Sequence, residues 1–328
     1  MTFVPPKMLK LAFSVILLSM LPGSRAAAQV RGPMAAGEHN FQSPDVRLWY
    51  RVAGTGGRVP IVFLHGGPGE GSQAFAAFGG PDLEKKHRII YLDQRGAGRS
   101  ERPKASSKYS MAIMVEDIEN LRRHIRAEKL VLLGHSFGTQ LALDYAVKYP
   151  ARVEALVLAA ASPHLLRSLD LQCERLSRMD PAAYGRAREG ISDGALPRCD
   201  TRKAYSGDLA TAFVEKNLFP DQRVARIVNQ LDGSANLRNS GEAAGALFSQ
   251  GLLQYRFDRA GEITAPVLIV AGGRDFQAAL EPQVDIASQM PRSELLVYPR
   301  SGHFMFVEEP RKFARDVNHF LESVGTAR

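Results

Sequence analysis

Short, wholly apolar runs recur through the first half of the chain. Val46–Val52 reads as a strand. Val59–Leu64 is a short apolar run ending in glycines, and Arg88–Leu92 is another. Over Met111–Ile125 the apolar positions are 111, 114, 118, 121 and 125, which is the spacing of one helical face. Ser110 stands where an N-cap belongs. Leu130–Leu133 predicts a strand, Phe137–Val147 a helix ending near Pro150, and Val153–Ala159 a further strand. These runs do not alternate apolar with polar, so their strands should be buried on both faces, as in a parallel sheet covered by helices. Strand then helix, repeated, predicts an α/β fold with a mostly parallel, doubly wound sheet.

The rhythm stops near residue 163. Residues 163–262 are helical in tone, richer in Arg, and hold both cysteines. From Pro266 the rhythm returns. Val267–Val270 and Leu295–Tyr298 read as strands, Phe276–Met290 as mostly helix, and Pro310–Val324 as a final helix. The expected organisation is one α/β core, residues 29–162 and 263–328, interrupted by a helical cap, residues 163–262. Arg31–Pro44, rich in small and polar residues, reads as a linker.

Composition narrows the class. The 328 residues are 45% hydrophobic and 23% charged, which excludes a disordered chain, a collagen-like repeat and a cysteine-built scaffold. Residues 1–28 read as a secretory signal peptide. Lys7 and Lys10 precede an apolar stretch from Leu11 to Leu21, Pro22 and Gly23 break it, and Ala26-Ala27-Ala28 offers a small-residue cleavage site. The apolar stretch is too short to span a bilayer as a helix. The expected location is therefore outside the cytosol, periplasmic or secreted, with no stable membrane insertion once the leader is removed. The leader carries three of the chain's net eight positive charges (Lys7, Lys10 and Arg25) and no acid, so +5 remains. That surplus is scattered rather than gathered on one face, and nucleic acid is not an expected partner. In an exported protein Cys173 and Cys199 suggest a disulfide, two buried free thiols being the alternative. Their spacing matches no metal motif.

The chemistry gathers at the ends of the expected strands. Gly134-His135-Ser136-Phe137-Gly138 fits G-x-S-x-G between a strand and a helix, the context of a nucleophile elbow. Such a turn lifts the serine to the sheet's C-terminal edge, at a helix N-terminus that favours developing negative charge. A serine needs a base, and the base an orienting acid. Asp275 follows the strand Val267–Val270, and His303 follows the strand Leu295–Tyr298. Their order, Ser then Asp then His, is that of this kind of sheet. Asp285 is the rival acid, but it falls within a helical stretch. His65-Gly66-Gly67-Pro68-Gly69 follows another strand end, and the N–H groups of Gly67 and Phe137 are the expected oxyanion hole. His65 is expected to hold that loop, and His135 to pack. Asp93-Gln94-Arg95-Gly96-Ala97-Gly98-Arg99-Ser100 lacks the phosphate-loop pattern and is expected to brace the oxyanion loop through an Asp/Arg network.

On these residues the chain resembles the α/β-hydrolase superfamily, and within it the proline iminopeptidase group of serine peptidases. The resemblance rests on HGGPG at 65–69, on DQRGxGxS at 93–100 and on the elbow at Ser136, and it covers residues 46–162 and 263–324. It implies a helical cap after the sixth strand and no metal or cofactor. It also implies cap glutamates that hold the free α-amino group of a peptide. The cap offers Glu174, Glu189, Glu215 and Glu242, with Glu242 and Glu215 as the candidates. The chain departs from the group where Ala246-Leu247-Phe248-Ser249-Gln250 precedes Gly251 and a glutamate is expected, and where Phe137 follows the serine in place of a tryptophan.

Two activities fit. One is an aminopeptidase releasing N-terminal proline or another small residue from peptides. The other is a hydrolase of esters, lactones or uncharged amides with the same three side chains. The substrate is a small molecule or a peptide in either case. A receptor that keeps the fold as a ligand pocket is a third reading, and the complete set Ser136, Asp275 and His303 argues against it.

Overall fold

The computed structural model describes residues 32–234 and 241–325. The expected signal peptide lies outside the described residues. Eight strands form one sheet: β1 Gly37–Ser43, β2 Val46–Ala53, β3 Ile61–Leu64, β4 Ile89–Leu92, β5 Leu130–His135, β6 Val153–Ala159, β7 Val267–Gly272 and β8 Ser293–Tyr298. Their order is β1-β2-β4-β3-β5-β6-β7-β8. The pairs β1/β2 and β2/β4 are antiparallel, and every other pair is parallel. β3, β4, β5 and β7 are buried at every position, as their unbroken apolar sequences require of strands covered on both faces.

Helices flank the sheet. In the core they are α1 Gln73–Ala77, α2 Gly80–Glu84, α3 Met111–His124 and α4 Phe137–Lys148. Between β6 and β7 come α5 Leu165–Met179, α6 Pro181–Arg188, α7 Gly207–Leu218, α8 Gln222–Ser234 and α9 Gly241–Ser249. The chain then closes with α10 Leu280–Gln289, α11 Met305–Glu308 and α12 Pro310–Ser323. Ser110 caps α3, its side chain accepting from Ile113 N–H at 3.3 Å. Two buried apolar layers sandwich the sheet. One contains Leu64, Leu132, Leu141 and Leu156, the other Phe63, Phe75, Leu133 and Phe306.

Two local expectations need correction. The segment Arg31–Pro44 is not all linker, because Gly37–Ser43 pairs along its full length with Val46–Val52 of β2. Its polar composition reflects an edge strand whose alternate residues face outward, and only Phe41 joins the apolar core. The helix expected from Phe276 begins only at Leu280. The side chain of Asp275 captures the N–H groups of Gln277 and Ala278 at 2.8 and 3.0 Å, and this turn displaces the helix start.

Cys173 on α5 and Cys199 after α6 are joined by a disulfide, and both are buried. With Leu176, Ala183 and Ala187 they form a small apolar cluster separate from the two main layers. Among the described residues no helix is long and apolar enough to cross a membrane.

Candidate active site

β5 runs straight into α4 through Ser136, whose φ of 50° and ψ of −117° lie outside the regions a serine normally adopts. Such strain persists only where the surroundings enforce it, and it concentrates at functional sites. The enforcement is visible. Ser136 N–H is tied to the Ala159 carbonyl at 2.9 Å. A side chain at Gly138 would place its Cβ 2.1 Å from the Leu64 carbonyl, and one at Gly134 would stand 2.6 Å from the Gly138 carbonyl. Both glycines of the motif are therefore there for close backbone approach. Phe137 is the first residue of α4, where backbone N–H groups have no partner within the helix.

Asp275 and His303 meet. Nδ1 of His303 lies 2.8 Å from Oδ2 of Asp275, with both residues almost fully buried. The other carboxylate oxygen takes the two backbone N–H groups of Gln277 and Ala278, which fixes the acid. Burial pushes the His303 imidazole down, but the charge and hydrogen bond of Asp275, with Glu70 and Glu308 behind them, outweigh it and hold the group above its ordinary value. The rival acid Asp285 is exposed on α10.

His135, between the elbow's first glycine and its serine, does more than pack. Its Nε2 lies 2.9 Å from the His303 carbonyl oxygen. Burial above all, then the neighbouring His303, push its pKa well below the usual range. The ring is therefore neutral, with Nε2–H as the donor.

The glycine loop after β3 lies against the elbow. Gly67 has φ 109°, a conformation that glycine adopts freely. A Cβ at Gly66 would stand 3.2 Å from Ser136 Cβ. His65 braces this loop: its Nε2 accepts the Gln94 N–H at 3.0 Å, and the Gln94 amide donates to the His65 carbonyl at 2.9 Å. Asp93 accepts both the N–H and the hydroxyl of Ser72 at 2.9 and 2.7 Å, and Arg99 Nε at 2.7 Å. Arg95, 1% exposed, is forked onto Asp117 at 2.6 and 2.7 Å. The DQRG segment is thus an internal network, with Arg99 lying over Trp49 at 3.3 Å.

Ser136, Phe137, Gly67 and His303 share one cavity of about 290 Å³. Leu165, Leu169, Leu218, Phe248 and Leu252 make its apolar wall, with Gln140, Gln172 and Gln277 as polar points. A larger hollow of about 580 Å³, near Arg58 and Arg126, is lined by neither serine nor histidine. The segment between β6 and β7 grips the site directly. His303 N–H donates to the Leu218 carbonyl at 3.1 Å, and Arg175 donates to the Asp275 carbonyl at 2.5 Å.

Among the expected cap glutamates whose side chains are described, none lines the cavity. Glu242, in the first turn of α9, is exposed and lies 3.9 Å from Arg102. In this structure it lies beside a surface arginine and is not among the residues that line the cavity. Glu174 pairs with Arg178 and Glu189 is exposed. Glu215 belongs to α7, and its side chain lies outside the described residues. The carboxylate that does line the cavity beside Ser136 is Glu70, one residue past the HGGPG glycines. Sequence reasoning missed it because the motif ends at Gly69. Its position three residues beyond the expected oxyanion donor was the available signal. Among the described residues, no three His, Cys, Asp or Glu side chains gather as a metal-binding group.

The chain belongs to the alpha/beta hydrolase fold family, whose model matches residues 59–310. Its relatives carry more than one name. It is 30% identical over 286 residues to a provisionally named 2-succinyl-6-hydroxy-2,4-cyclohexadiene-1-carboxylate synthase of Bacillus subtilis (strain 168), covering 86% of this chain and 97% of that protein. It is 26% identical over 288 residues to the proline iminopeptidase of Heyndrickxia coagulans, covering 82% and 92%. The crystal structure of a proline iminopeptidase-related protein from Thermus thermophilus superposes with a TM-score of 0.73 at 22% identity, covering 90% of this chain and 100% of that one.

Proposed function

We propose that the protein is a serine hydrolase working through an acyl-enzyme, and that it releases N-terminal proline or another small residue from peptides. The observation that carries the proposal is the shared cavity of a strained, elbow-mounted Ser136 and a His303 held by Asp275. His303 Nε2 takes the Ser136 proton as Oγ attacks the scissile carbonyl. The oxyanion receives the N–H groups of Gly67 and Phe137, whose hydrogen bonds strengthen as charge develops. The imidazolium returns its proton to the leaving group, and an acyl ester remains on Ser136. Water, activated by the same histidine, then releases the acid. Asp275 accepts from the Nδ1–H of His303, so that Nε2 is the accepting nitrogen. Similarity to proline iminopeptidases supports the peptide substrate.

A second reading, a hydrolase of carboxylic esters, lactones or uncharged amides, is favoured by the apolar cavity wall and by Glu242 facing away from it. Export to a periplasm or the medium belongs to the same proposal. It is supported by the leader-like residues 1–28 and by the Cys173–Cys199 disulfide, since disulfides persist in oxidising compartments.

The test is turnover of a proline arylamide and a short-chain aryl ester, with S136A alongside. Cleavage of both, lost by at least about 10³-fold in S136A, with the acyl group found on Ser136 by mass spectrometry, is the expected result. Ester cleavage alone selects the second reading. Activity retained in S136A overturns the acyl-enzyme.

A further inference from the structure

Three groups converge on one point of the oxyanion loop. A Cβ at Gly66 would stand 3.0 Å from His135 Nδ1, 3.1 Å from Glu70 Oε2 and 3.2 Å from Ser136 Cβ. The Glu70 carboxylate oxygen and Ser136 Cβ are thus no more than 6.3 Å apart, the sum of their two distances to that point. It is the missing side chain of Gly66 that lets the carboxylate come so close. We propose that Glu70 is the specificity residue of this site, and that its carboxylate binds a protonated amine next to the scissile carbonyl.

This inference rests on the acyl-enzyme reading and deepens it. It moves recognition of the substrate's cation from the cap to the oxyanion loop. The geometry suits an α-amino group, whose nitrogen is two bonds from the carbonyl carbon that Ser136 attacks. An ammonium leaving water needs an anionic partner. Among the described residues that line the cavity there is no lysine or arginine, and Glu70 is the carboxylate among them. Its field already reaches the reacting groups, for it is one of the charges that hold the His303 imidazole up. The backbone that carries it is fixed: two residues on, Ser72 is bound through both N–H and hydroxyl to Asp93.

The test uses E70Q and E70D in the full chain, with two readouts. The first is the ratio of kcat/KM for a proline arylamide to that for a neutral aryl ester. Any effect of Glu70 through His303 acts on both substrates and cancels. The expected result is a fall in this ratio of about 10- to 100-fold in E70Q, the worth of a hydrogen bond to a charged group, with partial recovery in E70D. E242Q, changed at an exposed cap glutamate, should leave the ratio within about twofold. The second readout is inhibition of ester hydrolysis by L-prolinol, a free amine without a scissile bond, against N-acetyl-L-prolinol. Selective inhibition by the amine, lost in E70Q, supports the proposal even if the arylamide is not cleaved, in which case the peptidase reading fails by itself. An unchanged ratio, equal loss on both substrates, or a ratio that follows Glu242 overturns it.

Discussion

Nε2 of His135 donates to the backbone carbonyl of His303 at 2.9 Å, and the two rings pack with centroids 4.8 Å apart. The residue just before the candidate nucleophile therefore holds the chain of the candidate base, 168 positions away. In H135F the ring bulk remains but the donor is lost, leaving a buried carbonyl unsatisfied at a cost of about 1–3 kcal/mol. The expected outcome is a lower melting temperature and a reduced kcat with KM little changed, read by thermal melting and steady-state kinetics.

Asp275 divides its two oxygens between His303 and the backbone of Gln277 and Ala278. In D275N the amide oxygen keeps the backbone bonds, which turns the NH₂ toward His303. Nδ1 must then accept, Nε2 carries the proton, and the base is in the wrong tautomer. A loss in kcat of about 10⁴-fold is expected, with the melting curve close to that of the parent. Full activity in a folded D275N would remove Asp275 from its role.

Glu308 accepts the Gly302 N–H at 2.7 Å, one residue from His303, and burial pushes its carboxyl up to about 7 from 4.5. The folded protein therefore holds a proton that the unfolded chain has released between those values. Stability contributed at this site falls as pH rises from about 4.5 to about 7. E308Q should remove that slope and melt higher than the parent at pH 8, with little difference at pH 4. Glu308 also helps to hold the His303 imidazole up. Its neutralisation should shift the acid limb of the kcat/KM profile to lower pH, because the base loses its proton earlier.

The Cys173–Cys199 bridge spans a sequence separation of 26. In the chain-entropy model closing such a loop is worth roughly 3–4 kcal/mol. The double variant C173A/C199A should melt measurably lower than the oxidised parent, and reductant should lower the parent but not the variant. Coincident melting curves for all four samples would show that the bridge does not contribute.

The sequence carried the parts of the site that are local. Ser136 and its glycines sit in a five-residue motif between two apolar-patterned elements, and the loop glycines and the DQRG brace lie in comparably short stretches. The positions of Asp275 and His303 followed from strand ends alone. Features set by distant partners were not legible. β1 is a strand because β2 pairs with it, not because of its own mostly polar residues. His135 acquires its task from a carbonyl in another loop. That Glu242 does not line the cavity was hidden for the same reason, since only packing decides which way a helix start faces. Glu70 reaches the cavity because Gly66 has no side chain to obstruct it, a relationship between two residues that neither reveals alone.

Leu218 has two roles at once: its side of the wall faces the cavity, and its carbonyl suspends His303. A Cβ at Gly302 would stand 2.4 Å from Pro220 and 2.9 Å from that same carbonyl, so the two segments have no slack between them. A change at the end of α7 that reshapes the cavity wall would therefore also disturb the candidate base. Under the proposed function, variants that broaden selectivity should carry a visible change in turnover.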